Sequence, residues 1–115
     1  MANAQTLPVR LTRRSEFLRL AAQGRKLAKY GFVLQLEQKE PNSTLRVGYT
    51  ATKKLGNAVV RNRSKRRLRE AARVVLAEKS IAGLELVLIA RRETAEMDFG
   101  RLKKNLGKAL DEALL

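Results

Sequence analysis

A chain of 115 residues, 44% of them apolar and none of them cysteine, is one domain long enough to bury a core without disulfide staples or thiolate metal ligands. No apolar run approaches the ~18 residues of a membrane span, and the opening MANAQTLPVRLTRRSEF carries no signal-peptide core, so a cytoplasmic location with no membrane partner is expected. The formal net charge of +14 lies in residues 1–73, with 18 basic and 4 acidic side chains, whereas residues 74–115 carry seven of each; this polarised field points to a polyanionic partner.

Phe17, Leu20 and Ala21 recur at helical spacing between Ser15, a capping residue, and Gly24, a stop, which predicts a short helix over Ser15–Gln23. GFVLQLEQ (Gly31–Gln38) alternates, with Phe32, Leu34 and Leu36 on one face and Val33, Gln35 and Glu37 on the other, as a half-buried strand does. After the turn residues EPNST, Leu45–Thr52 alternates again, and strand, turn, strand predicts an antiparallel hairpin. Further on, Gly83 leads into LELVLIA, a nearly continuous apolar run of the kind found in central strands. Asp98 then caps a last helix whose Phe99, Leu102, Leu106, Ala109, Leu110 and Ala113 share one side.

Between these strands, a helix from about Ala58 to about Ala77 puts Val60, Ser64, Leu68, Ala71 and Val75 within about 80° of arc, and that arc faces the core. Asn62, Lys65, Arg66, Arg69 and Arg73 follow Arg61 on one flank of the stripe, and Arg63 and Arg67 occupy the other. From Arg61 to Arg73 there are six Arg and one Lys against a single acid, Glu70. Planar guanidinium forks match phosphate oxygens, so the wet face suits a nucleic-acid backbone. Gly56 and Asn57 supply the turn and cap that start the helix.

No catalytic constellation accompanies this charge. The chain has no histidine, and its only local acidic cluster, Glu93, Glu96 and Asp98, lacks the spacing expected of a two-metal site and fits helix-dipole support instead. The polypeptide alone is expected to be inert and to hold no metal. A ribosomal-RNA-binding structural protein would share this size and charge but needs no single-strand cleft, and an operator-binding protein would lay the Arg helix in a major groove. A membrane-surface helix would carry large apolar residues where Ser64 and Ala71 stand.

The order of residues adds to the charge. RVGYTATKKLGNAVVRNRSKRRLREAAR resembles the signature of the bacterial ribonuclease P protein subunit: an Arg61-Asn62-Arg63 helix preceded by the turn Lys53-Lys54-Leu55-Gly56. The resemblance extends to Phe17 in the first helix, GFVLQ in an early strand and GLELVLIARR in a late one. It implies an α+β fold, a single-domain α/β sandwich over residues 1–115 ordered helix, three strands, Arg-rich helix, strand, helix. It also implies a further short strand near Lys26–Tyr30 and a four-stranded sheet with a left-handed βαβ crossover, against the usual right-handed rule.

The implied function is that of a ribonucleoprotein removing the 5′ leader of precursor transfer RNA, with catalytic magnesium held by the RNA subunit and no obligate protein partner. Arg61, Asn62, Arg63, Lys65, Arg66, Arg67 and Arg69 would dock the ribonuclease P RNA. Phe17, Val33, Gln35, Lys53, Lys54 and Arg91, with Arg92 beside it, would line a cleft for the single-stranded leader, while Phe32 would be core. The stems of Arg63 and Arg67 also suit a structural role, covering the core. Ala21 and Gln35 stand where the family often has aromatics, which implies weaker leader stacking, and three Phe and two Tyr leave little other aromatic surface.

Overall fold

The computed structural model describes residues 9–114; the first eight residues, part of the segment read above as lacking an export signal, lie outside them, as does Leu115. The elements are β1 (Val9–Arg10), α1 (Arg14–Gln23), β2 (Arg25–Lys29), β3 (Phe32–Gln38), β4 (Arg46–Thr50), a 3-10 turn (Lys53–Leu55), α2 (Ala58–Lys79), β5 (Leu84–Ala90) and α3 (Phe99–Leu114). One mixed sheet holds all five strands in the order β1-β4-β5-β3-β2. No helix among the described residues is long and apolar enough to cross a membrane.

The fold class matches expectation, and three details differ. The sheet has five strands, because Val9 and Leu11 donate to the Leu45 and Val47 carbonyls and so add a two-residue edge strand, β1, too short to leave a periodic signal. The helix α1 starts at Arg14, with Arg13 rather than Ser15 as its N-cap; the Glu16 carboxylate accepts the Arg13 N–H at 3.2 Å.

The third difference concerns the strand neighbours. β3 and β4 do not form a hairpin: β5 lies between them, antiparallel to β3 from Phe32 opposite Ala90 to Gln38 opposite Leu84, and parallel to β4. Strand β3 instead turns through Tyr30 and Gly31 to pair with β2. Alternation in β3 and β4 reports which face is buried, not which strand is adjacent, and the apolar LELVLIA requires cover on both faces and pairing on both edges.

The β4–α2–β5 crossover is left-handed. Val47 turns its side chain toward the cluster shared with α2, and its carbonyl accepts from Leu11 N–H at 2.9 Å. In an L-peptide strand running upward with a side chain toward the viewer, that residue's carbonyl points right. Strand β1 is therefore on the right of β4 and β5 on the left, with α2 in front, the reverse of the common hand.

Two unequal apolar layers result. Phe32, Leu34, Val47, Leu86 and Leu88 pack against Leu68, Ala71 and Val75 of α2 and Leu102, Leu106 and Leu110 of α3. The opposite face carries only Leu11, Leu20 and Val87, with Phe17 and Ile89 against them. Ion pairs hold α1 to that thin face: Arg46 bridges Glu16 (2.6 Å) and Glu85 (3.2 Å), and Arg19 reaches Glu37 (3.2 Å), which also meets Lys39 (2.9 Å). On the other side, Lys29 pairs with Glu112 of α3 at 2.6 Å.

These ion pairs set the acid limit of the fold. Hydrogen bonds from Lys39 and Arg19 hold the Glu37 carboxyl below its ordinary value of 4.5, and Lys29 does the same for Glu112. Burial pushes Glu16 upward, but the Arg13 N–H and the Arg46 guanidinium outweigh it, and its net shift is also downward. Depressed carboxyls contribute stability above their unfolded pKa that disappears as pH falls through the folded value. The melting temperature should therefore hold down to about pH 5 and fall below about pH 4; in a thermal-melt series, Glu16→Gln and Glu37→Gln together should lower the neutral-pH plateau and flatten the acid limb.

Candidate nucleic-acid interface

The 3-10 turn delivers the chain to Gly56, whose φ of 145° suits a residue without a side chain, and Asn57 Oδ1 then accepts the Val60 N–H at 3.0 Å to start α2. Ser64, Leu68, Ala71 and Val75 are buried as the stripe requires, joined by Ala72 and Leu76 where α3 packs alongside; Val60, at the helix start, is only half-buried. The core-facing row is thus wider than the sequence stripe, and the basic residues are pushed into a narrower outer arc.

Those basic residues divide into two groups. Arg67 is a strut: its Nε donates to the Thr94 carbonyl at 3.0 Å, its Nη2 donates to the Met97 carbonyl, and its guanidinium lies 5.7 Å from the Phe99 ring centre. Arg61 Nη1 donates to the Gly56 carbonyl at 2.8 Å, closing the turn before the helix, and Arg73 pairs with Glu70. By contrast, Asn62, Arg63, Lys65, Arg66 and Arg69 make no side-chain hydrogen bond or ion pair among the described residues. Asn62, Arg63 and Arg66 are exposed and Lys65 and Arg69 half-buried. Arg69 stands near Tyr49, whose phenol burial pushes up to about 12 even though Arg69 and Arg10 pull it down.

A second surface lies on the α1 side of the sheet. Strands β4 and β5 end together there and β3 begins, so Thr50, Ile89 and Val33 share a half-buried patch beyond the reach of the short α1. Phe17 borders it. Its ring packs against Gly48, where an added Cβ would stand 2.6 Å from Cε1 and Cζ, so glycine is what lets the aromatic approach the sheet. The exposed Lys53, Lys54, Arg91 and Arg92 crowd the same end. Arg91 Nη1 donates to the Lys29 carbonyl at 3.2 Å, and its Nε stands 4.0 Å from Glu93.

Of the expected cleft residues, Gln35 is not accessible: it is 5% exposed on the α1 side of the sheet, between strands β2 and β5. Phe32 is fully buried, as expected for core. Sequence reasoning missed Thr50 and Ile89. The strand register alone marks them, and β5 conceals it because it is apolar on both faces.

The acidic cluster separates in space. Glu93 accepts the Gly31 N–H at 3.0 Å, Asp98 Oδ2 accepts the Arg101 N–H at 2.9 Å and caps α3, and Glu96 is exposed. Among the described residues no three His, Cys, Asp or Glu gather as a metal-binding group.

The chain resembles known proteins over almost its whole length. The family described as Ribonuclease P matches residues 7–114. The ribonuclease P protein component of Gluconacetobacter diazotrophicus is 48% identical over 104 residues, covering 90% of each chain, and that of Bacillus cereus is 38% identical over 97 residues, covering 84% of each. Among solved structures, the Staphylococcus aureus RNase P protein superposes with a TM-score of 0.75 at 30% identity, covering 90% of this chain and 94% of that one. The Thermotoga maritima RNase P protein gives 0.73 at 29% identity, covering 90% and 96%.

The division within α2 is directly testable. Arg67→Ala removes two charge-assisted bonds to carbonyls of the 91–97 loop and should cost about 2 to 4 kcal/mol of stability. Arg66→Ala, which removes a solvated side chain, should stay within about 0.5 kcal/mol of the parent. Urea titration of both variants measures the difference; equal stabilities would show that Arg67 is not a strut.

Proposed function

The chain belongs to the ribonuclease P protein family, and we propose that it is the protein subunit of a cytoplasmic ribonucleoprotein that removes the 5′ leader of precursor transfer RNA. The observation that carries the reading is the pairing of two surfaces on opposite faces of one sheet: an α2 face of unpaired cations and an apolar patch bordered by Phe17. Asn62, Arg63, Lys65, Arg66 and Arg69 dock the catalytic RNA through its phosphates, while Arg61 and Arg67 shape the surface that presents them. Phe17, Val33, Thr50 and Ile89 receive leader bases, and Lys53, Lys54, Arg91 and Arg92 neutralise the leader backbone.

Among the described residues no three acids gather, and Glu93 and Asp98 of the one local acidic cluster are engaged with backbone N–H groups, which does not suit a catalytic magnesium. We assign the magnesium to the RNA subunit. The polypeptide's part is electrostatic and geometric: its unpaired cations lower the repulsion between two RNAs, and the cleft fixes the leader relative to the bond to be cut.

Reconstitution tests the reading. Mixed with a bacterial ribonuclease P RNA and precursor transfer RNA at low magnesium, with no third component, the protein should stimulate cleavage at the mature 5′ end; no stimulation would overturn the proposal. Within the complex, Arg63→Ala or Arg66→Ala should weaken RNA-subunit binding and reduce the salt slope of log K by about 0.7 to 0.9 for each phosphate that is no longer neutralised. An unchanged slope would remove that side chain from the interface.

Phe17 serves both cluster and cleft, so the informative variant is the one that keeps the apolar bulk. Phe17→Leu should retain the packing against Leu11 and Val87 yet remove the stacking face, weakening leader-bearing precursor by about 1 kcal/mol and leaving mature transfer RNA as before. Equal losses for both RNAs in a competition binding assay would make Phe17 purely structural.

A further inference from the structure

Of the five aromatic side chains, Phe32 is buried and Phe17, Tyr49 and Phe99 are half-buried; Tyr30 alone is largely open, with 49% of its surface exposed. It occupies the β2–β3 turn, and the Arg101 guanidinium of α3 stands 4.5 Å from its ring centre. A turn tip is ordinarily mobile, yet four side chains fix this one. Asn105 Nδ2 donates to the Tyr30 carbonyl (3.1 Å), Arg91 Nη1 to the Lys29 carbonyl (3.2 Å) and Thr94 Oγ1 to the Gly31 carbonyl (2.5 Å), while Glu93 accepts the Gly31 N–H (3.0 Å). The bracing holds the backbone without covering the ring.

We infer that Tyr30 and Arg101 form a second stacking platform for single-stranded RNA, which takes leader nucleotides that extend past the sheet-face cleft. The inference rests on the reading of this chain as the leader-binding subunit. Its physical basis is a half-exposed ring with a guanidinium over it, on which a base would complete a three-layer stack of base, phenol and guanidinium. Continuity supports the leader as occupant. Arg91 belongs to the cationic end of the cleft and bonds the residue before Tyr30, so the platform begins where the cleft ends. Beyond it, the exposed Lys104 and Lys108 follow Arg101 at helical spacing, giving phosphates a cationic border.

The test uses the reconstituted holoenzyme with two precursors, one whose leader just fills the cleft and one with a leader twice as long. Tyr30→Ala and Arg101→Gln should each weaken the long-leader precursor by about five- to tenfold relative to the short one. Tyr30→Phe, which keeps the ring, should restore the parent ratio, and the melting temperature of each free variant checks that the turn survives. Equal affinity changes for both precursors, or none for either, would overturn the platform while leaving the subunit reading intact if the unmutated protein supports leader removal. Failure of the unmutated protein to support leader removal would overturn the reading and the platform together.

Discussion

The central strand β5 is the constraint on which the rest of the molecule depends. Its LELVLIA sequence is buried on the α2–α3 face, covered at Val87 on the other, and hydrogen-bonded on both edges, so β3 and β4, though consecutive in the chain, are parted to receive it. Once β5 runs parallel to β4, a long connection must return the chain over one face, and that connection is α2. The parallel pair also brings the ends of β4 and β5 to the side where β3 begins. Lys53, Lys54, Arg91 and Arg92 meet there although they come from distant parts of the sequence.

The asymmetry of the two layers has a functional consequence. Helices α2 and α3 cover one face with most of the core, whereas the ten-residue α1 covers only part of the other and is held by ion pairs as much as by apolar packing. A thin layer leaves sheet surface accessible beside Phe17, and Gly48 lets the ring settle on the backbone. Apolar surface of this kind is costly to leave in water, and it suits unstacked bases, which have both faces to bury.

Charge is sorted by the fold rather than spread by it. The acids of α1, β3, β5 and α3 are engaged by Arg19, Lys29, Lys39, Arg46 and Lys79, which tie elements together. Among the described residues, the basic row from Arg61 to Arg73 of α2 has no acidic partner apart from Glu70, which Arg73 takes; only at the end of the helix does Lys79 reach Asp111 of α3. Within that row, Arg67 holds two main-chain carbonyls and Arg61 one, so two side chains that look like docking residues in the sequence also brace the scaffold. Guanidinium suits both uses, because its fork satisfies two carbonyls as readily as it meets two phosphate oxygens.

The two-sided character of α2, the Asn57 and Asp98 caps and the stop at Gly24 were legible from the sequence, because each depends on helical period or on groups within a turn of one another. The RNA-binding character of the chain was legible too, since net charge needs no coordinates. The expected β3–β4 hairpin failed because alternation records burial and says nothing about which strand lies alongside. Gln35 passed for a cleft residue because its face is correct, and only the packing shows how little of it is exposed. The neutral composition of residues 74–115 concealed Arg101, whose meaning comes from Tyr30 in a turn far earlier in the chain. Periodicity and capping arise from backbone geometry over a few residues and can be read along the chain. Strand neighbours, the pairing of charges and the exposure of a single ring follow from long-range closure of the sheet around β5, and the tertiary structure alone decided them.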